Sequence, residues 1–196
     1  MNIYANGCSF VMGQELVDSD PLNMDNKRTA WPALIGAYND AWSGSSNHAI
    51  ANRTLNYCRE NPVDVAIIGW SHHSRVLTLG QNSRNDRLGQ HVAKPGSTKT
   101  EEWYKRHYHN EDMLIEWNQN VIESTYYWLE SHDIKPIFFN SLNKFVTDVP
   151  MLWECDSWRK QYHNKHDLEI EYGKHPDQKS HDWLANYLQE LLLFYM

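Results

Sequence analysis

The chain has 196 residues, 41% of them hydrophobic and 22% charged, which suits one folded domain with a sizeable core. A formal charge of −7 argues against nucleic acid or an anionic membrane as the main partner. Cys8, Cys58 and Cys155 make neither an even disulfide framework nor a CxxC pair, and they read as reduced thiols.

The N-terminus shows no basic segment followed by an apolar core, and the closing LLLFYM is far too short to span a bilayer. The expectation is therefore a cytoplasmic protein. In chain order, Ile3 to Ala5 read as a short buried strand ended by Asn6-Gly7. A short helix is predicted in TAWPALIGAYN, with Thr29 as its cap and Pro32 in its first turn. A brief strand at Asp40 to Trp42 and the small-residue turn SGSSN follow. Asn47, Ile50, Ala51, Thr54, Leu55 and Cys58 then draw one face of a helix.

Val63 to Ile68 form a strand too apolar for a sheet edge, suited to the centre of a parallel sheet. Residues 75 to about 110 have no clean period and read as an insertion over one end of the domain; the aromatic run Trp103 to Tyr108 within it suits a substrate lid or a subunit contact. Beyond it, Leu114, Trp117, Val121, Thr125, Trp128 and Leu129 outline a long amphipathic helix. IKPIFFNS is another buried strand, with Pro136 tolerable near its start. The last helix starts near Gln178, is capped by Asp177, and buries Trp183, Leu184, Tyr187, Leu188, Leu191 and Leu192. Strands alternating with helices predict an α/β protein with a mostly parallel sheet, in a single domain over 1–196 without repeats or linkers.

In such a sheet the crevice lies beyond the carboxyl ends of the strands. Four segments are expected at that rim: GCSF, SGSSN, GWSHHSR and GKHPDQKSH. Together they bring a serine hydroxyl, free backbone donors, a second hydroxyl and an imidazole, which is the inventory of acyl transfer. Gly-x-Ser-x-Gly is absent, because Val11 holds the last place, and this argues against the larger α/β-hydrolase fold. GCSFVMG is also no phosphate-cradling glycine loop, which weakens a phosphate-binding flavodoxin-like reading.

Gly7-Cys8-Ser9-Phe10 resembles the first block of the SGNH (GDSL-like) hydrolases, in which a serine after the first strand is the nucleophile. SGSSNHAI resembles the second block, whose glycine, here Gly44, offers its N–H to an oxyanion. IIGWSHH resembles the third, with Gly69 matching and Ser71 standing where the family has an asparagine donor. HPDQKSH resembles the fifth, which makes His175 the base. The family's acid would fall at Tyr172, so Glu171, Asp177 or no carboxylate at all remains for that place. The resemblance, which extends to small SGNH-like proteins common in phage, implies a three-layer α/β/α, flavodoxin-like fold. It also implies a serine esterase removing an acyl or O-acetyl group from a carbohydrate or small molecule, in the host cytoplasm if the gene is a phage's.

Plainer roles compete for the same residues. Ser9 also reads as a turn or cap serine, and His175 as a surface histidine ahead of Pro176. Asn47 is either a helix cap or a contact near the oxyanion site, and His181 is either structural or a substitute base. Cys8, beside Ser9, points the other way along an extended segment. His72-His73, His107-x-His109 and His163-x-x-His166 lack the HExxH form or paired cysteines, so neither metal nor cofactor is expected. The rivals to the esterase are a catalytically weak or inactive binding protein of the same fold and a metal-dependent hydrolase. The oligomeric state is open.

Overall fold

Strands with apolar side chains on both faces belong at the middle of a sheet covered on both sides, and β3 (Val65–Trp70) is buried at all six positions. The computed structural model describes residues 1–18, 23–75, 110–142, 147–168 and 174–195. Around β3 it arranges β1 (Ile3–Gly7), β2 (Tyr38–Asn39), β4 (Lys135–Asn140) and β5 (Leu152–Ser157) in one sheet, in the order β2-β1-β3-β4-β5. Every neighbouring pair is parallel. This is the doubly wound order in which connections leave β1 and β3 for opposite faces. The expected insertion and aromatic run, His107, His109, Glu171 and Tyr172 lie outside the described residues, apart from the insertion's two end residues.

The helices are α1 (Ser9–Met12), α2 (Met24–Thr29), α3 (Trp31–Leu34), α4 (Asn47–Glu60), α5 (Glu111–Ser131), α6 (Trp158–Lys165) and α7 (Gln178–Leu193). They divide between the two faces of the sheet, as the two-residue strand period requires. Ala5, Ile67, Ile137 and Phe139 pack against Val11 and Met12 of α1, Trp31 of α3, Trp158 of α6, and Leu184 and Leu188 of α7. Tyr4, Ala66, Ile68 and Phe138 pack against Ile50 and Cys58 of α4 and against Ile122, Tyr126 and Leu129 of α5. The result is the expected three-layer α/β/α architecture. No helix among the described residues is long and apolar enough to cross a membrane.

Several local expectations need correcting. Thr29 caps no helix; it ends α2, its hydroxyl turned back to Asn26 O at 3.2 Å, and α3 starts after Ala30 with Pro32 in its first turn. β2 lies at Tyr38–Asn39 rather than Asp40 to Trp42, where Tyr38 stacks on Tyr57, as Tyr4 does from the partner strand. The chain nevertheless stays beside β1 through the predicted segment, since Asp40 N donates to Ala5 O and Trp42 N to Gly7 O. Ser46, not Asn47, caps α4 by accepting from Ala49 N.

Gly7 and Gly69 face each other across β1 and β3, and α1 lies directly over the pair. A Cβ added to Gly69 would sit 2.5 Å from Val11 Cγ2 and 2.8 Å from Phe139 Cε2, and one added to Gly7 would strike the same Val11 methyl. Side chains on these two residues would lift α1 off the sheet. Gly69→Ala is expected to lower stability by about 1–3 kcal/mol in urea unfolding, as overpacking of a tight core does. Adding Val11→Ala should recover part of that loss, whereas simple additivity of the two changes would contradict the contact.

Candidate active site

The position of Ser9 follows from the end of β1. Cys8 is extended, with its side chain fully buried in the core, and its carbonyl accepts from Val11 N and Met12 N at 3.0 Å each, so Ser9 becomes the first residue of α1. The residue is 3% exposed. Because Gly7 pairs with Gly69, Ser9 and Ser71 each stand two residues beyond the paired glycines, at the carboxyl edge of the sheet.

The turn that carries Gly44 is tied to the same edge. Trp42 N donates to Gly7 O, and Ser45 Oγ donates to Trp42 O at 2.8 Å. Arg53, nearly two turns into α4, donates to both Ser45 Oγ (2.9 Å) and Asn6 Oδ1 (3.2 Å), and Asn6 Oδ1 also takes Gly7 N at 2.7 Å. Gly44 itself sits at φ +74°, a backbone state that suits glycine. Asn6 and Arg53 thus brace the Ser9 and Gly44 segments, although no motif in the sequence singled them out.

Asn47 is not the cap of α4, but it does contact the Ser71 segment. Its Nδ2 donates to Ser71 O (3.2 Å) and to Asn118 Oδ1 (2.9 Å), while its Oδ1 accepts from Ser71 N (2.7 Å). With both amide hydrogens spent, it works as a strut joining α4, the end of β3 and α5. The strut leaves the Ser71 hydroxyl buried and without a hydrogen-bond partner among the described residues. Ser141 Oγ and both amide atoms of Asn140, at the end of β4, are in the same condition. Unpaired buried polar atoms are rare, and these three residues gather at the ends of adjacent strands.

His175 packs its ring edge-on to Phe10, the residue after Ser9, with centroids 5.4 Å apart. Among the described residues no hydrogen bond joins its ring to Ser9 Oγ, and its Nδ1 lies 3.1 Å from Glu15 Oε2. A cavity of about 350 Å3 opens beside it, lined by Arg159, Tyr162, His163 and Lys174 among others. Asp177 caps α7 as expected, accepting from Ser180 N at 2.9 Å and from the Ser180 hydroxyl. Burial raises its carboxyl pKa, but these Ser180 hydrogen bonds outweigh burial and hold it below the usual range.

His181 is structural. Its Nδ1 accepts from Trp31 N at 3.1 Å, which stitches α7 to α3. Burial, helped by His175 and opposed by Asp177, pulls the ring down to about 3. His72 is pushed to about 4 by burial, with His73 and Arg75 adding to the effect against Glu111, and its Nδ1 pairs with Ser74 Oγ. His73 Nε2 reaches Glu111 Oε1 at 3.0 Å. Among the described residues no group of three or more His, Cys, Asp or Glu converges to hold a metal ion.

No protein-family model matches the sequence, and no curated protein matches it. Solved structures do. A protein named as an acylhydrolase from Bacteroides fragilis NCTC 9343 superposes with a TM-score of 0.51 at 11% identity, covering 99% of this chain and 87% of that one. A protein named as a lipolytic G-D-S-L family member from Desulfitobacterium hafniense DCB-2 gives 0.49 at 15% identity, covering 96% and 98%. The likeness to the first of these shows a shared fold, the α/β architecture of a mostly parallel sheet flanked by helices described above.

Because His181 is held neutral in the folded chain, the unfolded chain takes up a proton that the native state refuses between about pH 6.5 and about 3. Stability should therefore fall as pH drops through that window and stay flat above it. His181→Asn keeps an acceptor near the Nδ1 position and is expected to flatten the decline measured by thermal unfolding, with a smaller slope remaining from His72. An unchanged slope would show that the buried ring is not responsible.

Proposed function

We propose that this protein is a serine ester hydrolase that releases an acyl or O-acetyl group from a carbohydrate or small-molecule ester. The observation that supports the reading is the packing of the His175 ring on Phe10, the residue that follows Ser9 at the head of α1. The fold, shared with a protein named as an acylhydrolase, agrees with it.

Ser9 is a weak nucleophile alone, so the neutral His175 accepts its proton as Oγ attacks the ester carbonyl. The N–H groups of Ser9 and Gly44 and the Ser71 hydroxyl donate to the tetrahedral oxyanion. Ser71 replaces an asparagine of the resembled family with a rotatable donor, and its unpaired state leaves that donor available for a reacting oxygen. The protonated imidazole then gives its proton to the departing alcohol. Water, deprotonated by the same ring, attacks the acyl-serine and releases the acid. The abundant aromatic side chains, nine Trp and eleven Tyr, suit the faces of a sugar.

A fluorophosphonate probe should label the native protein and fail to label Ser9→Ala or His175→Ala. Ser71→Ala is expected to slow the reaction by up to about a hundredfold, as loss of one oxyanion donor does. A folded protein that takes no label contradicts the esterase reading and favours a binding protein of the same fold. Labelling that persists without Ser9 moves the nucleophile elsewhere.

A further inference from the structure

A serine–imidazole pair needs something to hold the imidazole in the tautomer that leaves Nε2 bare, normally a carboxylate accepting from Nδ1–H. In the resembled family that acid lies three residues before the histidine, where this chain has Tyr172. Asp177 is committed to Ser180 at the head of α7. The carboxylate next to His175 comes from the other end of the chain: Glu15 Oε2 is 3.1 Å from Nδ1.

We propose that Glu15, in the turn after α1, is the positioning residue that orients His175 toward Ser9. The proposal rests on the esterase reading and deepens it. Three features of the turn point the same way. First, Glu15 is one of four non-glycine residues with positive φ among the described residues, at +72°, and strain of this kind persists where surrounding contacts enforce it. Second, those contacts are present on both sides. Gln14 Oε1 accepts from Ser43 Oγ, Leu16 N closes the turn on Gly13 O at 3.1 Å, and Val17 N donates to the buried Asn26 Oδ1 at 2.8 Å. Third, the carboxylate is on the same short segment as Ser9, so α1 and its turn present the nucleophile and the orienting group as one unit.

The Nδ1–H axis is not aligned on Oε2, because Nδ1 makes no hydrogen bond of good geometry. The Glu15 side chain is 43% exposed and free to rotate into line, and such contacts often tighten only when substrate is bound. In the reaction Nε2 gains the Ser9 proton while Nδ1 keeps its own. The ring becomes a cation beside an ionised Glu15, and no proton passes to the carboxylate. Half-exposure leaves the charge partly screened by solvent, so the effect should be smaller than for a buried aspartate.

Glu15→Gln keeps the size and the backbone demand of the position while removing the charge, so the two proteins should fold alike. With p-nitrophenyl acetate its kcat is expected to fall about 10- to 100-fold with KM little changed, well short of the roughly 10⁴-fold loss at a buried triad acid. The ¹⁵N spectrum of the His175 ring supplies a second readout, shifting from the Nδ1–H form in the native protein to a mixture in the variant. If Ser9→Ala and His175→Ala abolish turnover while Glu15→Gln matches the native protein, the positioning role is overturned and the esterase reading survives. If the native protein has no activity at all, the esterase reading fails and the ring tautomer still decides the pairing. Identical spectra in native and variant overturn it.

Discussion

The site depends on one close approach. At the carboxyl ends of β1 and β3 two glycines face each other, and a valine from a four-residue helix rests on both. A helix that short has almost no stability of its own, because nucleation costs more than one turn of hydrogen bonds returns. Contact with the bare sheet is what keeps α1 folded, and α1 in turn fixes Ser9 at its head and Glu15 in the turn behind it. Interiors packed at crystal density transmit such a constraint over several residues without loss.

Above that contact, two kinds of polar residue share the rim. Some are fully engaged: Asn6 bridges Tyr4, α4 and the β1 backbone, and Asn47 locks the end of β3 to α4 and α5. These act as scaffolding, and a buried network of this kind is stiff when every member is paired. Others, namely Ser71, Asn140 and Ser141, are buried with hydrogen-bonding capacity unused among the described residues. His175 and His181 repeat the contrast within one stretch of chain. The first is partly exposed beside a cavity and a carboxylate, and the second is sealed between α3 and α7 as a neutral strut.

Much of the fold was legible because apolar runs and helical spacing are local signals. The central strands β3 and β4, the long helices α4 and α5, and the Asp177 cap all follow from windows of a few residues. β5 escaped notice because LWECDS mixes charge into an edge strand whose pairing with β4 is broken by a register shift. α1 and α2 are too short to show a period. The sequence suggested Ser9, Gly44, Ser71 and His175 at one rim and Asn47 near it, but not which atoms Asn47 engages, since its partners lie 24 and 71 residues away. Glu15 was hidden for the same reason, being 160 positions from the histidine it approaches.

The central claim is that Ser9 and His175 work as nucleophile and base on one substrate ester at this rim. A crystal structure of the protein after reaction with a fluorophosphonate tests it directly. The account predicts phosphorus bonded to Ser9 Oγ, the phosphonyl oxygen within hydrogen-bond reach of the Gly44 N–H and the Ser71 hydroxyl, and the His175 ring beside the adduct. An adduct on another residue, or one on Ser9 with the imidazole turned away and out of reach, would contradict it.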